Sequence, residues 1–291
     1  MSVFWLVAPL AAASVLAIGV TAVHRRLPPK WAAQTLALTL VVVMGAAVPT
    51  VLILSLGYLT HIPLLGTGFE WCARVFGVHE NVPATVGLPA SVVAIVGIWG
   101  AIKVFRSQRR LSHHHVGPVE VIAHDQPFAF TLPGRAGHIV MSSGLVEFLD
   151  EDELSVVLTH ERAHGRHRHD RYLVIAKLAV AVAPMLRPLS SRLEFSLERW
   201  ADESAALACD DRTFVARTLG KVALGAPSPM MSLSFAGLGV PARMTALLEP
   251  MATPPRALHM APLYLGVAVT GLFAIYQLHH LVKLIVTLCP G

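Results

Sequence analysis

The sequence predicts a mainly α membrane protein: about four transmembrane helices, with an α+β domain between the third and the fourth. Three observations lead there. Of 291 residues, 54% are hydrophobic and 14% charged, against roughly 45–50% and about 25% in soluble globular domains. The charge is segregated, with 33 of the 41 Asp, Glu, Lys and Arg lying between residues 106 and 260. Four long apolar stretches flank that block. The composition excludes intrinsic disorder, and three cysteines in so long a chain exclude a disulfide scaffold.

The organisation expected is three spans in residues 1–110 (about 3–23, 32–59 and 83–105), a polar domain in 111–260, and a fourth span in 261–291. Residues 3–23 carry no charge and are long enough to cross a hydrocarbon core of about 30 Å. No positive charge precedes that run, whereas Arg25, Arg26 and Lys30 follow it, which suits an uncleaved anchor with its N-terminus outside. The second stretch contains Pro49, so a kinked or tilted helix is expected. Lys103, Arg106, Arg109 and Arg110 follow the third span. Basic loops mark the cytoplasmic side, so the polar domain is expected in the cytoplasm. The net charge of +5 fits inner loops beside anionic lipid and gives no reason to invoke direct nucleic-acid binding. Cys72 and Cys289 then fall outside and Cys209 inside, so a disulfide between the first two is the pairing this topology allows.

Within the polar domain, LVEFLDEDELSVVLTHERAHGRHRHD reads as a helix with a marked start. Asp150 can cap it, Glu153 completes a capping box, and Leu154, Val156, Val157 and Leu158 follow. His160 and His164 are four residues apart on one face, close enough for both imidazoles to reach one metal ion. Glu161 lies beside that face, where it can serve as base for an activated water. The His-Glu-x-x-His pattern has a chance expectation of roughly 0.03 in a chain of this composition. The neighbouring His167 and His169, and the run His113, His114 and His115, are expected on a solvated basic surface rather than at a metal.

A catalytic zinc ion takes three protein ligands, so a third should lie downstream. The segment SSRLEFSLERWADESAALA reads as a helix begun by Ser190 or Ser191, with Glu194, Glu198 and Asp202 on one face. Leu193, Leu197, Ala201 and Ala205 flank that stripe and suggest partial burial, and buried carboxylates need partners. Residues 172–186 are apolar but short and interrupted by Lys177 and Pro184. A single crossing there would put Glu198 across the membrane from His160 and His164. A buried core helix is therefore expected, with a segment dipping into the membrane surface as the other allowed form.

HExxH followed by E-x-x-x-D resembles the gluzincin-type membrane metallopeptidases: HtpX, the CAAX prenyl proteases and the BlaR/MecR-type sensor peptidases. The resemblance implies a metal set of His160, His164 and Glu198, with Asp202 orienting His160. It also implies Glu161 as the catalytic base. Upstream, the strand-like runs 119–123, 128–132 and 138–141 are similar to the small sheet that precedes the zinc helix in this group. Downstream, PARMTALL around Arg243 is similar to a basic segment there. Four spans with the domain before the last fit the BlaR/MecR type, which implies a bacterial inner membrane. The chain stops at Gly291, so the sensor domain of those proteins is expected to be missing.

The function this implies is zinc-dependent endoproteolysis of a protein or peptide substrate, possible examples being a membrane-protein tail or, by analogy, a transcriptional repressor. Arg243, or else His259, is the candidate donor to the oxyanion. An exposed edge at 128–132 or 138–141 could accept an extended substrate as an added strand. Residues 225–239, rich in Gly, Pro and Ser, could gate the cleft or simply link two helices. Two rivals are a non-proteolytic membrane signal transducer with a structural zinc site and a metal transporter. The spans offer almost no ligands for transport.

Overall fold

The computed structural model describes residues 3–59, 82–111, 119–133, 137–225, 239–251, 253 and 257–286. The first half of the chain contributes α1 (Val3–Val23), α2 (Pro29–Leu59), α3 (Ala84–Leu111), β1 (Val119–Ile122), β2 (Ala129–Thr131), β3 (Ile139–Ser142) and α4 (Ser143–Phe148). The second half contributes α5 (Glu151–Arg166), α6 (His169–Val182), α7 (Arg187–Cys209), α8 (Arg212–Gly225), α9 (Val240–Leu248) and α10 (Ala257–Val286).

Helices α1 (with the turn His24–Arg26 that follows it), α2, α3 and α10 supply four stretches long and apolar enough to cross a membrane: Ala8–Arg26, Pro29–Leu59, Ala84–Gln108 and Met260–His279. Their outward side chains, including Ile18, Ile95, Trp99, Leu272 and Ile275, are exposed, as a lipid-facing surface requires. Some of their buried polar groups bond back to their own helix, as Thr39 does to the Thr35 carbonyl and Thr270 to that of Gly266, and others pair between helices. Thr50, next to Pro49 in α2, can donate to the Ala46 carbonyl at 2.9 Å or to Gln277 Oε1 on α10 at 2.8 Å. Ser55 on α2 donates to Ser91 on α3 at 3.0 Å. These bonds join helices where apolar burial alone gives no preference over lipid.

The sheet has the order β1-β3-β2, with β1 parallel and β2 antiparallel to β3. All four residues of β3 are buried, so 138–141 forms the central strand and not an edge. The strand at 129–131 is the edge beside α5, and β1 is the opposite edge. Just before β3 the chain passes very close to the end of α5. Gly137, at φ +58°, meets Gly165, and a Cβ on either would sit 2.9 Å from the other's Cα. Only glycine at both positions permits this approach.

Helix α6, covering most of the short apolar run at 172–186, packs against α2, α3 and α7. Gly97 and Gly100 on α3 let it come close: a Cβ at Gly100 would lie 2.9 Å from the Ala181 Cβ. Helix α7 connects two hydrophobic cores. Its first half places Leu189, Leu193 and Leu197 against Leu16, Leu36, Leu40 and Ala176 of the apolar frame. Its second half places Ala205 and Ala206 with Ile139, Met141, Val157, Val215 and Leu247 around the sheet. Glu198 and Asp202 lie where these cores meet. Cys72, Cys289, the run His113–115 and residues 226–238 of the proposed gate lie outside the described residues. Cys209 is a free, exposed thiol.

Candidate metal centre

Two capped or locked helix starts set the site. Asp150 accepts from the Glu153 amide at 2.8 Å, and Glu153 accepts from the Asp150 amide at 3.0 Å, the reciprocal box read from the sequence. This fixes the phase of α5, and with it the face that carries His160 and His164. Helix α7 starts at Arg187, ahead of the expected Ser190 or Ser191. The reason is Pro188, whose fixed φ suits a first-turn position where no amide donor is needed. The leucine stripe at 189, 193 and 197 holds α7 on the frame and turns Glu198 and Asp202 towards α5.

The structure brings His160, His164 and Glu198 together, with one ligand atom of each inside a 4.8 Å cluster. The two Nε2 atoms are 3.1 Å apart. Glu198 Oε2 is 3.6 Å from His160 Nε2, and Oε1 is 3.5 Å from His164 Nε2. Two nitrogens each about 2.0–2.1 Å from one tetrahedral zinc ion lie roughly 3.3 Å apart, so these separations fit a shared ion. The donor set of two imidazoles and a carboxylate also suits zinc. Glu198 Oε2 is buried and accepts no well-aligned hydrogen bond among the described residues.

Glu161 is 3% exposed and sits on the sheet side of the pair. Thr131 of β2 is its partner: Oγ1 lies 2.7 Å from Glu161 Oε2 and 2.8 Å from the Glu161 carbonyl, and can donate to either. The edge strand and the general-base candidate are therefore in direct contact. Thr131 was not singled out by sequence, because a threonine in a short strand is ordinary.

Asp202 Oδ1 lies 3.1 Å from His160 Nδ1. Arg243 of α9 is fully buried beneath it, donating from Nε to Asp202 Oδ2 at 2.7 Å and from Nη2 to Oδ1 at 2.6 Å. Its Nη1 is 3.0 Å from Glu198 Oε2. Arg243, the candidate oxyanion donor, is thus placed at the site with its guanidinium against these carboxylates. Its guanidinium bridges Asp202 and Glu198 and helps to hold both in place. A sequence signal was available: one arginine among the apolar residues of PARMTALL must find a carboxylate if that helix is buried. The side chain of His259 lies outside the described residues. Glu194, the third member of the stripe, is a turn away and pairs with Ser190 at 3.4 Å, outside the cluster.

Burial opposes charge throughout this site, and the partners decide each outcome. Burial disfavours the Asp202 carboxylate, but the Arg243 charge and hydrogen bonds outweigh it and hold Asp202 well below the usual range. Glu198 is likewise lowered, against its burial, by His164, His160 and Arg243. Burial opposes the His160 cation too, yet hydrogen bonds to Asp202 and Glu198 raise it to about 9. His164 lacks a comparable carboxylate bond, and burial lowers it.

His169 overturns the solvated-surface expectation. It is fully buried, with Nδ1 2.9 Å from His164 Nδ1, and its ring centroid is 4.9 Å from that of Trp200. Burial drives its imidazole down to about 2. His167 is half-buried and stacks on Trp200 with centroids 4.6 Å apart. Nothing in the residue pattern marks this, because the chain reverses between α5 and α6 at Arg168, a non-glycine residue at φ +56°.

Comparison with known proteins bears on the first half of this site. Residues 103–191 match Peptidase family M48. A plastoglobule-localized, chloroplastic metallopeptidase 48 of Arabidopsis thaliana is 33% identical over 115 residues, covering 35% of this chain and 33% of that protein. A protease HtpX homolog of Desulforapulum autotrophicum is 29% identical over 115 residues, 39% of this chain and 35% of its own length. One of Acidiphilium cryptum is 34% identical over 92 residues, 31% and 32% of the two lengths. The chain thus spans about a third of each of these relatives. No solved structure matches. The matches favour the HtpX side of the resemblance. They stop short of Glu198 and Asp202 in the family alignment, whose placement rests on the geometry above. The segment that carries the strands, His160, Glu161 and His164 is therefore similar to Peptidase family M48 and to protease HtpX homologs.

Proposed function

We propose that this chain is an integral membrane zinc metalloendopeptidase that hydrolyses peptide bonds of a protein substrate at the membrane surface. The convergence of His160, His164 and Glu198 from two helices, with Glu161 beside them, carries the reading. These three residues would hold the ion. When bound, zinc supplies Lewis acidity that lowers the pKa of a coordinated water towards about 7 and polarises a carbonyl.

The chain's own residues do the rest. Glu161 takes a proton from the attacking water and returns it to the leaving amine. Thr131, at 2.7 Å from the Glu161 carboxylate, restrains that side chain on the strand side. Asp202 accepts from His160 Nδ1, which leaves Nε2 with a free lone pair. Arg243 keeps Asp202 and Glu198 ionised and in register. The free edge of β2 offers main-chain groups to an extended polypeptide, which would run past Glu161 as a fourth strand.

The membrane orientation follows the basic loops after the first and third spans: N-terminus outside and the domain on the cytoplasmic face. Under this orientation the substrates are cytoplasmic polypeptides or the tails of membrane proteins, and a repressor, as suggested by the sensor-peptidase resemblance, is one such polypeptide. The test compares wild-type protein with Glu161→Gln in native membranes. Loss of new peptide termini by at least a hundredfold, with zinc content retained, is expected. Unchanged cellular output from Glu161→Gln would instead support a signal transducer with structural zinc.

A further inference from the structure

His169 is buried, contacts a metal-site histidine and has no part in the reaction described above. We propose that His169 is a positioning residue for the metal centre: its Nδ1 accepts a hydrogen bond from His164 Nδ1–H and so fixes His164 with its Nε2 lone pair towards the ion. This rests on the zinc reading and deepens it.

The geometry supports the direction of that bond. His164 Nε2 is the atom that faces His160 Nε2 and Glu198. An imidazole that ligates through Nε2 carries its proton on Nδ1. The partner of that proton is His169 Nδ1, 2.9 Å away. A neutral His169 must then accept through Nδ1 and carry its own proton on Nε2. That nitrogen is buried without a hydrogen-bond partner among the described residues, so nothing draws the lone pair away from His164.

The two metal-site histidines are therefore supported differently. His160 leans on the carboxylate of Asp202, and His164 leans on a neutral ring. That ring is the first residue of α6, and it is placed by the left-handed turn at Arg168. Its orientation is set by the walls around it: Trp200 on α7 and Tyr172 on α6, with ring centroids 4.9 Å and 6.3 Å away. Helix α6 in turn packs on the span α3 through Gly97 and Gly100. The support of His164 is thus anchored in the apolar frame.

Three substitutions separate acceptance from packing. An asparagine side chain places its oxygen near the position of Nδ1, a glutamine places its amide near Nε2, and a leucine has the asparagine shape without polar atoms. Full-length protein in detergent is stripped of metal, and zinc affinity is measured by competition with a chromophoric chelator. His169→Asn is expected to bind within about threefold of wild type, and His169→Leu and His169→Gln to bind roughly 10–100-fold more weakly. The electronic spectrum of the cobalt-substituted protein should shift for Leu and Gln and not for Asn. Should His169→Leu not fold, the Asn and Gln pair carries the comparison alone. Equal zinc affinity in Asn, Gln and wild type, or equal weakening in Asn and Gln, overturns the proposal. If wild-type protein itself takes up no zinc, the metal reading has failed and this inference falls with it. If wild type binds and only the ordering of variants fails, the metal reading stands.

Discussion

Arg243→Met removes a guanidinium of zero exposure from between two carboxylates. Methionine fills much of the volume, so the loss is mainly electrostatic. Removing one partner of a buried ion pair costs about 3–5 kcal/mol, because the other charge stays behind in a poor dielectric. Here both Asp202 and Glu198 lose their cation, which argues for the upper end, about 5 kcal/mol. At roughly 2 °C per kcal/mol for a chain of this size, the midpoint should fall by about 10 °C. The pH dependence has a definite sign. Arg243 holds the Asp202 carboxyl low, against its burial. Asp202 therefore contributes stability that is present above its unfolded value of about 3.9 and lost as pH falls through the lower folded one. In Arg243→Met that loss should begin at a higher pH. The assay is thermal unfolding of detergent-solubilised protein at several pH values, with a double-mutant cycle to Asp202→Asn. Arg243→Lys should fall between, since a point charge cannot form the two-pronged bond. A melting point for Arg243→Met within about 1 °C of wild type, or strictly additive losses in the cycle, would refute the reasoning.

Other perturbations give separable outcomes. In metal-free protein His160 is raised to about 9 by Asp202 and Glu198 in spite of burial. Its protonation contributes stability that is full below about 6.5 and lost as pH rises through about 9, on the order of 3 kcal/mol. Zinc uptake at pH 7.5 should consequently release about one proton, read by calorimetry in two buffers of different ionisation enthalpy, and no release would count against this. Thr131→Val keeps the shape of the edge strand but removes the donor to Glu161. Its kcat/KM should fall by about tenfold, roughly 1.4 kcal/mol, with zinc content unchanged. Gly165→Ala places a methyl group 2.9 Å from the Gly137 Cα. It should cost about 1–3 kcal/mol of stability, seen as a lower melting point, because backbone on both sides cannot yield.

The local elements of this protein were legible in its residues because their causes are local. Apolar length predicted four long helices, the Asp150–Glu153 box predicted the start of α5, and a four-residue spacing put His160 and His164 on one face. The strand runs at 119–123, 128–132 and 138–141 also appear close to their expected limits. Pairing order was another matter. Alternation says that a segment is a strand but not which strand lies between two others, so 138–141 was open to being an edge until β3 was seen in the middle.

From the residues alone follows the supply of groups: two imidazoles and a glutamate on one helix, and carboxylates at four-residue intervals on another. Which carboxylate meets the imidazoles, that Arg243 is held beneath them, and that His169 is buried against His164 were decided only by the tertiary structure. The reason is physical. Periodicity fixes the direction of a side chain relative to its own helix axis, whereas contacts between helices depend on where axes cross and how far each is slid. Those quantities are set by the two cores that α7 joins and by close approaches at Gly97, Gly100, Gly137 and Gly165. Each of these acts through residues distant along the chain, and no short window of sequence contains both partners.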